Sequence, residues 1–163
     1  MAPVRQAIAT GISFGLTSGV ITTLGLIVGL HSGTHSTLAV TGGVLTIAVA
    51  DALSDALGIH IAEESNPRRS ARHVWQATLA TFAAKLLMAL TFLLPLLVFT
   101  LGAAIVASIV WGFAVLTLLS WRLARAQATP PWRVIGEHLL IAAIVVVTTH
   151  LLGDWLASAL PRA

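Results

Sequence analysis

Apolar positions run in long, nearly unbroken blocks along this chain, and short polar connectors separate them. Five blocks, at about 7–30, 37–64, 74–98, 102–124 and 134–160, are each long enough, at about 1.5 Å per residue, for a helix crossing a bilayer core of roughly 30 Å. The pattern predicts an all-α integral membrane protein with five transmembrane helices in a single domain spanning residues 1–163. The second block is the clearest case, because Thr37–Glu64 is 28 residues without a proline. The third and fourth are joined by 34 residues, Leu86–Leu119, that carry no charge. One unbroken helix of that length would be about 51 Å long, so the run has to break, and Pro95 and Gly102 bracket a hairpin at Phe99–Gly102.

The second block ends in ADALSDALGIHIAEE, which sets Asp51 and Asp55 toward the inner end of an apolar helix. A charged carboxylate at the centre of a transmembrane helix costs about 2.5–3.5 kcal/mol, less toward the interface, so two of them call for a reason. Steps of about 100° per residue place Asp51, Ser54, Asp55, Gly58 and Ala62 on one face and His60, Glu63 and Glu64 on the opposite side. Asp51 and Asp55 are therefore candidates for a shared cation or proton site. One imidazole and two carboxylates at His60, Glu63 and Glu64 suit a hydrated divalent metal at the helix end. The competing reading is a solvated helix end whose unfavourable dipole interaction is offset by Arg68 and Arg69.

Polar groups inside the other blocks add to this picture. Lys85 and His150 both fall near mid-membrane. Lys85 is read either as a counter-ion to Asp51 or Asp154 or as an internal cation that competes with a transported ion for a carboxylate. His150 and Asp154 are four apart, as an oriented imidazole or a proton relay requires. In the first block Ser18 and Thr22 are candidates for lining a path, alongside Ser54 of the second. Gly11, Gly15 and Gly19 repeat every four residues, as do Gly25, Gly29 and Gly33. Such stripes let transmembrane helices approach closely, and the expectation is a homodimer closed through Gly11, Gly15, Gly19, Gly25 and Gly29. His31 and His35, in a short connector, read as solvated loop histidines.

Composition agrees with the pattern. Of 163 residues, 57% are hydrophobic and only 9% charged, against about a quarter charged in soluble domains. The net charge of +3 is spread over several connectors and forms no basic face, so no nucleic-acid partner is expected. Arg5, Arg68, Arg69, Arg72, Arg122, Arg125 and Arg133 fall on one side of a five-helix topology, and Arg162 on the other. That bias predicts a cytoplasmic N-terminus in a cytoplasmic membrane, inner or plasma, with Trp121, Trp132 and Trp155 as interfacial anchors. There is no cysteine, which leaves oxygen and imidazole as metal ligands. No H-E-x-x-H or G-x-S-x-G pattern is present, and no enzymatic activity is expected.

The first two blocks resemble the vacuolar iron transporter family. Its first helix carries a pattern like N-D-G-I-V-T-T-L-G-x-V-x-G, and Thr17–Gly29 reads TSGVITTLGLIVG; its second ends in a pattern like A-L-S-M-A-x-G-E-Y-V-S, and Ala52–Ala62 reads ALSDALGIHIA. The resemblance implies a five-helix protomer, a dimer, and export of Fe²⁺ or Mn²⁺ from the cytosol in exchange for protons. Ser18 replaces the family's acidic residue, Asp55 its methionine and Ile59 its glutamate, and the cytoplasmic metal-binding insertion is missing. The ligand set is thus rebuilt around Asp51 and Asp55, with Fe²⁺, Mn²⁺ or Zn²⁺ as bound or transported ion and no tightly bound cofactor. The alternative is a non-transporting metal-sensing or assembly module that keeps the fold.

Overall fold

The computed structural model describes residues 2–160, so Arg162, counted above, lies outside the described residues. The chain forms α1 (Ala2–Thr34), α2 (Thr37–Glu64), α3 (Ala71–Thr91), α4 (Leu93–Val98), α5 (Leu101–Ala126) and α6 (Pro131–Ala159). With α3 and α4 taken as one stretch, five segments are long and apolar enough to cross a membrane. Their outward faces suit lipid: on α2 the stripe Leu45, Val49, Leu53, Leu57 and Ile61 is exposed at every fourth residue.

The bounds of α2 match the predicted block and α6 begins three residues before its block, while the other three differ for physical reasons. α1 extends to Thr34, so His31 is helical and not in a loop as expected. The helix ends at His35, whose φ of 52° and N–H bond to the His31 carbonyl make the left-handed cap usually given to glycine. The third block breaks at Phe92, before its predicted end. Pro95 has no N–H to offer the Thr91 carbonyl and its ring crowds that oxygen, so α3 stops and α4 starts afresh. Finally, α5 runs on to Ala126 and closes with Ala128 at φ 52° and a Thr129 N–H bond back to the Ala124 carbonyl.

The helices form two compact units. One comprises the chain up to Gly19 together with Leu45–Thr91; the other comprises Val20–Val44 and the chain from Phe92 onward. In the first, Gly11, Gly15 and Gly19 of α1 lie against α3. A β-carbon built on Gly11 would sit 2.4 Å from the Ala77 carbonyl oxygen, and one on Gly15 would sit 2.6 Å from that of Thr81. No side chain fits there, and the two helices touch backbone to backbone.

In the second unit the other glycine stripe meets α6. Gly25 faces Val145 and Thr149, Gly29 faces Thr149, and Gly33 faces Gly153. Gly153 returns the fit, since a β-carbon there would be 2.5 Å from the Gly29 carbonyl oxygen. Gly112 of α5 receives the Leu24 side chain, and α5 packs along α6 and against α4. Gly11, Gly15, Gly19, Gly25 and Gly29, the glycines expected at a dimer contact, all have neighbours within the chain. Each of these glycines faces a helix of its own chain, because the close approach that small residues permit is already used within the protomer.

Candidate cation site

The first unit holds the charged centre. Lys85, in the middle of α3, is only 2% exposed, which makes it the largest of the fully buried side chains. A buried ammonium is stable only when paired, and three polar groups surround it. Its Nζ donates to Asp55 Oδ2 at 2.5 Å and to Ser18 Oγ at 2.9 Å. Asp51 Oδ2 lies 2.6 Å away, close enough for an ion pair although not aligned as a hydrogen bond.

The local sequence explains how these groups meet. On α2 the small residues Ala48, Ala52 and Ala56 are buried, while Asp51 and Asp55, one turn apart, lie on the flank of that strip. On α1 the Gly15 and Gly19 contacts press the helix against Thr81, Lys85 and Met88, so Ser18 is within reach of the ammonium. Asp51 and Asp55 keep 25% and 20% side-chain exposure, so the site opens on its aspartate side and is closed behind the lysine. One ammonium against two carboxylates leaves a formal charge of −1 when all three are ionised.

Of the sequence-predicted site, Asp51, Asp55, Ser18 and Lys85 are brought together. Lys85 takes Asp51 and Asp55 as partners, whereas Asp154 pairs with His150 at 3.5 Å. Ser54 is exposed, and Thr22 is half-buried on α1 within the second unit.

His60, Glu63 and Glu64 take separate partners. His60 Nδ1 is 2.9 Å from Thr78 Oγ1, its ring meets Trp75 edge-on at 4.8 Å, and its Nε2 is 3.9 Å from Glu64. Glu63 is held by Arg69 at 3.3 Å and by the buried His73 at 3.1 Å. The expectation that these residues face away from Asp55 fails. His60 and Glu63 both reach α3, at Thr78 and His73, the helix that Asp51 and Asp55 reach at Lys85. Among the described residues, no three His, Asp or Glu side chains are grouped as a metal ion would need.

Several participants were not singled out from sequence. His73 follows Glu63 by ten residues across a turn, and only the juxtaposition of an acidic helix end with SNPRRSARH hinted at a partner; Arg69 was foreseen as compensating charge. Thr78 looked like one more hydroxyl in an apolar helix. In the second unit Ser32 makes a short hydrogen bond with His150 Nδ1, and Ser120 bonds His138 at 2.7 Å. His31 and His35 have ring centroids 5.2 Å apart. No protein-family model matches the chain, and no curated protein matches it.

Proposed function

We propose that the chain transports a divalent cation, Fe²⁺ or Mn²⁺ by preference, out of the cytosol in exchange for protons. The carrying observation is the buried Lys85 ammonium held by Asp51, Asp55 and Ser18 within apolar helices. A cation arriving at the two carboxylates meets a resident cation and has to replace it. Lys85 either swings away or gives up a proton. With both aspartates ionised, binding of M²⁺ and loss of one proton from Lys85 takes the site from −1 to 0. When one aspartate also starts protonated, two protons leave and the charge is unchanged. Metal binding is thereby linked to proton release by competition for the same oxygens.

The resemblance to the vacuolar iron transporter family supports the same reading. Two positions at which the chain departs from that family's pattern, Ser18 and Asp55, both contact Lys85. The rebuilt ligand set is thus also a rebuilt counter-ion set. The arginine bias supports a cytoplasmic N-terminus.

A second reading draws on the same contact. Lys85 pairs with both carboxylates without any added ion, which is what a structural ion-pair lock inside a non-transporting module would require.

Flux in proteoliposomes separates the two. Native protein should move Fe²⁺ or Mn²⁺ faster under an imposed pH gradient than without one. Asp51→Asn and Asp55→Asn, made singly so that one carboxylate still holds Lys85, should reduce flux to that of empty vesicles. Lys85→Gln should leave metal binding but abolish its response to the gradient. Absence of native flux above empty vesicles for both metals and for Zn²⁺ would refute transport of these ions and favour the structural lock.

A further inference from the structure

An apolar groove of about 570 Å³ runs along the outside of the first unit, between Ile8, Ile12 and Leu16 of α1 and Leu79, Ala83 and Leu87 of α3. Its two walls are helical stripes with spacings of three and four residues. Followed back toward the start of each helix, both stripes end in arginine. Arg5 stands three residues before Ile8, and Arg72 stands four before Gln76, which lines the same groove. The helices run parallel, since Gly11 faces Ala77, Gly15 faces Thr81 and Gly19 faces Lys85. That offset of 66 residues sets Arg5 level with Ala71, beside Arg72. Both arginines are exposed, and neither is in an ion pair among the described residues.

The groove is lined by apolar side chains below the level of the two arginines, so an acyl chain fills it and a phosphate answers the two cations. Phosphatidylcholine lacks the net charge. We infer that the groove between α1 and α3 binds one acyl chain of an anionic glycerophospholipid of the phosphatidylglycerol type, whose phosphate Arg5 and Arg72 hold. This site is independent of the transport reading, because neither Arg5 nor Arg72 is among the groups that pair with Lys85.

The test uses the full chain, delipidated in neutral detergent, with phosphatidylglycerol, phosphatidylcholine or inorganic phosphate added at equal phosphate concentration. Bound lipid is counted by native mass spectrometry and the melting temperature is recorded. The native chain should retain phosphatidylglycerol over phosphatidylcholine by roughly tenfold or more, the size expected of two surface arginines. Arg5→Gln with Arg72→Gln should bring the two lipids to near parity without loss of total lipid. Ala83→Trp fills the groove from an exposed position and should remove both lipids. Equal retention by the native chain, or a preference that survives the double arginine substitution, overturns the proposal. So does stabilisation by free phosphate equal to that by phosphatidylglycerol. A native dimer that Ala83→Trp splits would assign the groove to a second copy instead.

Discussion

The two halves of α1 use the same device for different ends. In the first unit, Gly11, Gly15 and Gly19 bring α1 against α3, and at the end of that contact a serine hydroxyl joins two aspartates around a buried lysine. In the second, Gly153 of α6 lies as close to Gly29 of the other stripe, yet the polar groups gathered there are Ser32, His150 and Asp154, with the last two about half exposed. Close backbone packing is therefore not what makes a site. The difference lies in whether a formal charge is enclosed. An enclosed ammonium ties the stability of the unit to the ionisation of its neighbours, whereas an exposed histidine and aspartate can change without that penalty.

The largest expected effect would break the first half of this contrast. Replacing both aspartates, Asp51→Asn with Asp55→Asn, leaves Lys85 buried without a counter-charge. Unfolding in detergent should show a loss of about 3–5 kcal/mol, the usual cost of orphaning a buried ion. A loss as small as that of an exposed pair would mean that Lys85 escapes to solvent. Next come the glycines. Gly11→Ala and Gly153→Ala each force a β-carbon to within 2.4–2.5 Å of a backbone oxygen and should each cost about 1–3 kcal/mol. Gly58→Ala, with nothing within 4 Å, should instead gain up to about 1 kcal/mol from helix propensity. Similar melting shifts at Gly11 and Gly153 would confirm that the two units share one packing device; a shift at only one would divide them.

Within the first unit, Glu63→Ala removes the partner of buried His73 and should destabilise by about 1–3 kcal/mol. If His73→Ala in the same background restores none of that loss, the cost is not that of an unpaired imidazole. The smallest effect is predicted for Asp154→Asn. His150 and Asp154 are 55% and 53% exposed, and an exposed pair contributes about 0–1 kcal/mol, so the melting temperature should barely move. A large shift there would show that the second unit also encloses a charge.

The helical bounds were legible because hydropathy and chain breakers act locally. Thr37–Glu64 could be read from its uninterrupted apolar run, and a break near Pro95 follows from the missing N–H. The direction in which a side chain points is a different matter. Gly11 and Gly25 announce that something packs closely, but glycine has no side chain to indicate whether the neighbour is α3, α6 or another copy. His31 was misread as a loop residue because nothing in Ser-Gly-Thr signals that Gly33 is needed against Gly153.

The sequence by itself determined that the chain is five membrane-length apolar helical stretches carrying few charges, because length and hydropathy are properties of each segment alone. It also singled out Ser18, Asp51, Asp55 and Lys85 as charged or polar groups requiring partners. Only the tertiary structure decided that these four belong to one another and that Glu63 is also held by His73. Pairing depends on which helices come within a few ångströms, and that is set by packing between segments remote in the chain. Hydrogen bonds and ion pairs act only across such distances, so the partners of a buried charge emerge from the fold and not from the order of residues.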